Sequence, residues 1–272
     1  MSRTRHEAGV WSPLQPCGCV RSLSYDYPNG HQVLPHVHHQ HQLVYAVQGV
    51  MTVSADRGSW IVPTHRGVWV PARVEHAIRM SGAVSMRTLY IEPRIAHGLP
   101  SKCRVVDVPP LLREIILRAV AYGSLDRRVP AQRHLVDLLL DEIRTLPASA
   151  LHLPRPADPR AGRLIERVER DPAPRRSLDR LARTTGASFP PSCRSRCETA
   201  VAACAGWRRQ LRLARSLEAL AAGSSVTMAA FDAGYQSVSA FVSVFHRTFG
   251  ETPGRYFRVP PTRDGAARGP GG

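Results

Sequence analysis

Residues 206–257 constrain the fold of this chain more than any other stretch, because three helical patterns follow one another there with glycine stops between them. An amphipathic pattern with the spacing i, i+4 and i+7 begins at Trp207 and ends before Gly223. Two shorter helical patterns follow, with Gly234 between them and Gly250 at the end. A short helix, a glycine-containing turn and a second helix form a helix-turn-helix. The stretch therefore predicts a unit that binds double-stranded DNA.

The helix starts and the outward face of the second short helix make this prediction specific. Thr227 is predicted to cap the first short helix, with Val226 and Phe231 as a hydrophobic staple, and Ser237 is predicted to cap the second. Small polar and apolar side chains on the outward face suit base edges and thymine methyl groups, and Arg247 suits a phosphate. The predicted DNA contacts of this unit are Gln236, Ser237, Ser239, Val242, Ser243, His246 and Arg247.

The charge of the chain agrees with a nucleic-acid partner. The formal net charge is +16 over 272 residues, and polyanions are the expected partners of such a chain. No window of about 18 consecutive apolar residues occurs, so neither a membrane span nor a membrane partner is expected. The N-terminus lacks the apolar core of a signal peptide, which predicts a cytoplasmic location. The six cysteines do not match the spacing of a zinc finger.

The N-terminal half predicts an antiparallel β domain. After a loose arm at residues 1–20, short apolar runs alternate with turn signals over residues 21–95. The turn signals are Asn29-Gly30, Gln48-Gly49 and Asp56-Arg57-Gly58. Many short strands at this spacing indicate a small sandwich or barrel.

Histidines are concentrated in this half, and their spacing resembles that of cupins. His36 and His38 would face the same side of a strand, because side chains alternate along it. The spacing from Gly30 to Gly49 resembles the first cupin motif, and the segment that ends at His76 resembles the second. The resemblance implies a double-stranded β-helix barrel with a candidate divalent transition metal at His36, His38 and His76. Gln42 stands where metal-binding cupins carry Glu, and a neutral amide is a poorer ligand.

Three interpretations of the histidines stay open: a metal site, a metal-free ligand pocket, and packing inside the barrel. The segment 60–76 also resembles the sensory domain of AraC-type regulators, which are cupins that bind a small effector. Tryptophans in strands more often belong to a core than to a binding wall. The effector-binding residues predicted from the resemblance are His36, His38, Gln42, Tyr45, Trp69 and His76.

Residues 105–146 change to a helical period and predict two helices. Gly123-Ser124 separates them, and Pro130 begins the second helix in a position that proline tolerates. Both helices are more apolar than one buried face requires, so they either pack on the barrel or form a homodimer contact. The proline-rich stretch 147–158 is predicted to be a linker.

The C-terminal half resembles the DNA-binding domain of the AraC/XylS family over residues 159–258. The pattern Gly-Tyr-x-Ser-x-Ser-Ala-Phe from Gly234, with Phe245, Phe249, Pro253 and Tyr256 after it, matches the second helix-turn-helix of that family. Residues 205–216 resemble its connecting helix. The resemblance implies a first helix-turn-helix upstream, in which Ser188 caps the recognition helix and Arg194 contacts DNA.

Residues 189–204 depart from this family pattern. They begin with Phe189-Pro190-Pro191 and lack a stripe of large apolar anchors. One hypothesis is a pair of compensating frameshifts that preserves length and changes identity. If the sequence stands as written, the first helix-turn-helix is expected to be impaired.

The sequence as a whole predicts an α+β chain with a cupin-like barrel, a helical segment, an all-α domain with two helix-turn-helix units and a disordered tail at 259–272. The predicted function is that of a sequence-specific transcription regulator controlled by a small-molecule effector, and not of an enzyme. RNA polymerase and a second copy of the chain are further predicted partners. The alternatives are a cupin metalloenzyme with a DNA-binding appendage, and a regulator whose DNA binding is impaired by residues 189–204.

Overall fold

The computed structural model describes residues 19–55, 58–146, 152–154, 163 and 194–257, and its strand-rich N-terminal and helical C-terminal parts confirm the α+β class. The strands are β1 (Val20–Tyr27), β2 (Gln32–His36), β3 (His41–Ala55), β4 (Gly58–Val62), β5 (Arg66–Val70), β6 (His76–Ile91), β7 (Arg104–Asp107), β8 (Ser124–Leu125) and β9 (His152–Pro154). The helices are α1 (Pro110–Tyr122), α2 (Pro130–Thr145), α3 (Arg194–Ala221), α4 (Val226–Asp232), α5 (Val238–Phe249) and α6 (Pro253–Tyr256).

Two long antiparallel strands, β3 and β6, form the centre of the sheet. They pair along their whole length, from His41 opposite Ile91 to Ala55 opposite His76. Strand β6 also pairs with β1 and β2, and β3 also pairs with β5 and β4. The hairpin predicted at Gln48-Gly49 is wrong, because β3 continues through these residues with an irregular register. A bulge at a glycine gives the same local sequence signal as a turn.

Both faces of the sheet are covered by apolar packing. On the outer face, Tyr45 and Trp69 lie in a core shared with α1 and α2. On the inner face, aliphatic side chains of β3 to β6 form a second core that includes residues of α3 and α5. Helix α1 ends at Gly123 and α2 begins at Pro130, as the sequence predicts.

The stretch predicted as a linker contributes a strand. Residues 152–154 form β9, which pairs antiparallel with β4 from Gly58 opposite Pro154 to Trp60 opposite His152. Proline is tolerated there because β9 pairs with β4 on one side. The prolines of residues 147–158 led to the prediction of a linker, although proline is also compatible with an edge strand.

The predicted helix-turn-helix is present as α4, a turn at Gly234 and α5. The hydroxyl of Ser237 accepts a hydrogen bond from the backbone N–H of Ala240 at 3.2 Å, which confirms the second predicted cap. The cap of α4 is Ser225 and not Thr227, because α4 begins at Val226 and the Ser225 hydroxyl accepts from the Met228 N–H. The predicted staple is also wrong, since the Phe231 side chain is exposed.

Helix α3 is longer than the connecting helix predicted from Trp207. It runs from Arg194 to Ala221 without interruption, so residues 194–204, most of the stretch that departs from the family pattern, are helical. Ser188 and the arm up to residue 18 lie outside the described residues, as do the tail from residue 258 and the side chain of Arg194.

The helical unit is attached to the sheet by polar contacts around a shared apolar core. The Glu218 carboxylate of α3 accepts hydrogen bonds from Arg79 at 2.7 Å and from the Thr52 hydroxyl at 2.8 Å. The Tyr256 hydroxyl donates to the Thr64 carbonyl at 2.6 Å. The inner core is continuous between the sheet and α3 and α5. The sheet and the helix-turn-helix unit therefore pack against each other through one core in this structure.

Candidate functional site

Three histidines from separate parts of the chain meet at the inner face of the sheet. His36 ends β2, His38 lies in the turn after it, and His76 begins β6 directly opposite His36. One ring nitrogen from each lies within 4.8 Å of those of the other two. We call His36, His38 and His76 the histidine cluster. The predicted convergence is thus observed, although His38 comes from a turn and not from a strand.

The ring orientations in the histidine cluster are set by backbone carbonyl groups. The Nδ1 atoms of His36, His38 and His76 lie 2.9, 2.6 and 3.0 Å from the carbonyl oxygens of Leu34, Gln40 and Val74. A neutral ring that donates from Nδ1 leaves a lone pair on Nε2. Metal-binding histidines are held in the same way, with one nitrogen hydrogen-bonded and the other available.

Gln42 joins two of these rings to the sheet. Its Oε1 lies 3.1 Å from Nε2 of His38 and 2.9 Å from Nε2 of His76, while its Nε2 donates to Thr88 Oγ1 and to the Tyr90 hydroxyl. Turning the amide by 180° keeps the same distances and lets its N–H groups donate to both ring lone pairs. The hydroxyls would then donate to the amide oxygen, so every polar group is satisfied with both rings neutral.

Burial keeps the two inner histidines uncharged. Desolvation, together with the smaller effect of the neighbouring His36 and His38, lowers the pKa of His76 to about 3. Desolvation also lowers the pKa of His38. Neutral imidazole is the form that binds metal ions, so the rings need not lose a proton to act as ligands near neutral pH.

The turn that holds His38 uses a residue in an unusual backbone conformation. Arg73 has a φ of 64° and donates its backbone N–H to the His38 carbonyl at 2.9 Å. Cupins carry glycine at this point of the second motif, and glycine adopts a positive φ without steric cost. Arg73, which stands in place of that glycine, thus adopts a backbone conformation that glycine favours.

Tyr45 and Trp69 do not line the site formed by the histidine cluster, contrary to the prediction. Tyr45 follows Gln42 by three residues on β3, so the two side chains point to opposite faces of the sheet. Both aromatic side chains are buried in the outer core against α1 and α2. The Trp69 indole N–H donates to the Pro100 carbonyl at 2.7 Å. Their role is packing between the sheet and the helices.

Tyrosines of β1 and β6 lie near the histidine cluster instead and were not predicted. The Tyr90 ring meets the His38 ring edge to face, with 5.2 Å between their centroids. Tyr25 and Tyr27 stack at 5.7 Å on β1, which pairs with β6. Burial raises the pKa of Tyr90. The period-two pattern Arg21, Leu23, Tyr25, Tyr27 was the signal available in the sequence.

The second candidate site is the exposed face of α5. Most of the predicted DNA-contacting side chains are exposed there, namely Gln236, Ser237, Ser239, Ser243, His246 and Arg247. Val242 differs, because it is half-buried and packs against the inner core. Its side chain is therefore less accessible to a base edge than those of Ser239 and Ser243.

Arg212 of α3 fixes the turn of the helix-turn-helix. Its Nε donates to the Ala233 carbonyl at 2.5 Å, and its Nη2 donates to the Gly234 carbonyl. The guanidinium also lies over the Tyr235 ring, 4.5 Å from its centroid. Arg212 thereby couples the position of α5 to the long helix α3.

Both sites can be compared with known proteins. Residues 20–185 match the model of the AraC-like ligand binding domain, and residues 194–258 match that of a helix-turn-helix domain. The HTH-type transcriptional regulator NimR of Escherichia coli (strain K12) is 32% identical over 221 residues, which are 81% of this chain and 81% of NimR.

Solved structures align over long stretches at low similarity. Wild-type ToxT from Vibrio cholerae, bound to an unsaturated fatty acid, aligns over 88% of this chain and 94% of its own, at 11% identity and a TM-score of 0.37. A cupin superfamily protein from Desulfitobacterium hafniense DCB-2 aligns over 34% of this chain and 84% of its own, at 17% identity and a TM-score of 0.27. Among the helices that the structure describes, none has the length and apolar character needed to cross a membrane.

Proposed function

Because the chain belongs to the AraC family of transcriptional regulators, we propose that α5 reads DNA bases and that the effector binds beside the histidine cluster. The chain is a DNA-binding transcription regulator with an N-terminal domain for a small-molecule effector. The observation that carries the proposal is that the sheet with the histidine cluster and the helix α5 contribute side chains to one shared core. We further propose a cytoplasmic location and a purely regulatory, non-enzymatic role.

The exposed face of α5 supports the proposed base contacts. Ser239 and Ser243 lie one helical turn apart on that face, and both are exposed. Arg247 is exposed in the last turn of α5, where it suits a phosphate. Serines can hydrogen-bond to base edges, so they contribute to sequence preference, whereas Arg247 contributes mainly to salt-dependent affinity.

The test is selection of binding sites from random DNA by the full chain, followed by affinity measurement for Ser243→Ala and Arg247→Ala. Ser243→Ala is expected to change the preferred DNA sequence. Arg247→Ala is expected to weaken binding to all sequences alike and to reduce the salt dependence of the affinity. Arg133→Ala is the matched control, because Arg133 is exposed on α2 and carries the same charge. Failure of the full chain to enrich any sequence at moderate salt would contradict the proposal, and would favour a regulator impaired at residues 189–204.

We propose that the histidine cluster holds a divalent transition metal, with Gln42 beside it. The donor set supports this, because three rings with tethered Nδ1 atoms bring one ligand nitrogen each within 4.8 Å of one another. The Nε2 atoms of His38 and His76 contact Gln42 in this structure, and they would exchange that contact for the ion. The bound ion would supply a positive charge for the effector. Metal analysis after dialysis against Zn²⁺ should give about one ion per chain for the wild type and a strongly reduced value for His76→Ala. His134→Ala, an exposed histidine on α2, is the control and should retain the ion.

We also propose a homodimer formed through the helical layer, and contact with RNA polymerase when the operator adjoins a promoter. Four large apolar side chains of α1, α2 and their connection are exposed, namely Leu111, Tyr122, Val129 and Leu138. Exposed apolar side chains grouped on helices favour a protein contact. Sedimentation of the full chain and of Leu138→Glu tests the dimer, since the variant should shift the equilibrium toward monomer. A monomeric wild type would contradict the proposal.

A further inference from the structure

The charge of the histidine cluster identifies the class of effector that it can accept, and this inference rests on the proposed metal. In metal sites of proteins, carboxylate or thiolate ligands commonly offset the charge of the ion. Here the candidate ligands are three imidazoles and the amide of Gln42, all of them neutral. Among the described residues, no Asp or Glu joins the cluster. A divalent ion in this site would keep its full charge of two.

The surroundings of the cluster add positive charge and hydrogen-bond donors. Arg21 lies directly opposite Tyr90 in the pairing of β1 with β6, so the two side chains are neighbours on the same face of the sheet. The Tyr90 hydroxyl contacts the Gln42 amide, which in turn contacts His38 and His76. The site therefore continues from ring nitrogens through hydroxyl groups toward a guanidinium.

An uncompensated cation with few water contacts attracts an anionic ligand strongly, because Coulomb interactions are weakly screened away from water. His38, His76 and Gln42 are buried, whereas His36 is partly exposed at the end of β2. The open side of the cluster is therefore expected at His36. A carboxylate could enter there, coordinate the ion with one oxygen and accept hydrogen bonds with the other.

We propose that the effector is a small organic anion of the carboxylate type, which coordinates the metal held by His36, His38 and His76, and that Gln42 in place of a carboxylate makes this possible. A glutamate at position 42 would neutralise part of the charge and would repel the anion. Gln42 is thus assigned as the residue that determines the charge class of the effector.

The test uses the full chain loaded with Co²⁺, whose visible absorption changes when a new ligand coordinates the ion. Azide, acetate and benzoate are the anionic probes, and benzamide is the uncharged control of similar shape to benzoate. At least one anion is expected to change the spectrum with saturation, and benzamide is expected to leave it unchanged. Gln42→Glu should retain Co²⁺ and weaken the binding of the anion by about tenfold or more.

The possible outcomes separate the two proposals. If Co²⁺ binds and no anionic probe changes the spectrum, the inference about the effector is wrong while the metal site stands. If anions bind equally well to Gln42→Glu, the role of Gln42 is wrong. If the wild type binds no Co²⁺, the metal site and this inference both fail. The thermal midpoint and circular dichroism of Gln42→Glu verify that the variant is folded. Gln32→Glu, at an exposed position of β2, controls for the added negative charge.

Discussion

At the scale of single residues, the histidine cluster shows how burial selects a protonation state. His76 is almost completely buried and its ring contacts the rings of His36 and His38 at 4.3 and 5.0 Å between centroids. Three adjacent imidazolium ions would repel one another and would also lose hydration. The neutral form is therefore part of the folded state, and acid should act against the fold at this point.

We expect the metal-free chain to lose stability as the pH falls from about 6.5 toward 3, because His76 has a pKa lowered to about 3 in the folded state. The unfolded state binds the proton first, so the free energy of unfolding decreases on acidification by up to about 1.4 kcal/mol per pH unit for each such histidine. His38, whose pKa is also lowered, adds to the slope.

Urea unfolding of the metal-free chain at several pH values measures this slope. His76→Gln should reduce the slope, whereas His134→Gln, at an exposed position of α2, should not change it. An equal slope in wild type and His76→Gln would show that His76 is not held neutral.

At the scale of elements, residue pattern predicted helix ends better than it predicted strands. Gly123, Pro130, Gly234 and Gly250 mark helix boundaries where they were expected, because glycine and proline act locally on the backbone. The bend at Gly49 was mistaken for a hairpin, since a positive φ is compatible with a turn and with a bulge. Only the pairing of β3 with the distant strand β6 distinguishes a bulge from a turn at this position.

The faces of the sheet could not be assigned from alternation for a related reason. Helices α1 and α2 cover the outer face and α3 and α5 cover part of the inner face, so apolar residues occur on both sides of β3. Tyr45 and Gln42 therefore gave no indication of which side faced the histidines. The histidine cluster itself was predictable, because the spacing of His36, His38 and His76 resembles that of the two cupin motifs.

The cap of α4 provides a direct comparison between the predicted and observed helix starts. Ser225→Ala is expected to lower the free energy of unfolding by about 1 kcal/mol, because the Met228 N–H loses its acceptor. Thr227→Ala is expected to change it by a few tenths at most, since Thr227 is exposed within the first turn. Urea unfolding of both variants measures the difference. A larger loss for Thr227→Ala than for Ser225→Ala would contradict the observed helix start.

At the scale of the whole molecule, the sheet and the DNA-binding unit are joined at a close backbone contact. Gly82 of β6 has a φ of 74°, and a Cβ at this position would lie 2.2 Å from the Ala221 carbonyl oxygen at the end of α3. The Glu218 contacts to Arg79 and Thr52 lie on the same side of the sheet. Strand β6 thus carries His76 at its start and the attachment of α3 a few residues later.

We expect Gly82→Ala to weaken this attachment, because the new methyl group collides with backbone and cannot move aside. Differential scanning calorimetry of the full chain should show a broadened or divided transition, in which the helical unit unfolds at lower temperature. Gly30→Ala is the matched control, since Gly30 has a φ of 77° and open space around its Cβ position. The control introduces the same backbone strain without the collision, and equal calorimetric profiles for both variants would contradict a specific attachment at Gly82.

The core shared by the sheet, α3 and α5 limits the modularity of this regulator. A chimera could join its N-terminal domain to the DNA-binding domain of another family member. Such a chimera would replace Leu213, Leu217 and Phe245 with side chains that are not complementary to β3 to β6. Packing of that kind tolerates few volume changes. Biosensor construction from this chain should therefore exchange the effector site within the sheet, or transfer α3 together with its contacts to Thr52, Arg79 and Gly82, rather than divide the chain at the proline-rich stretch.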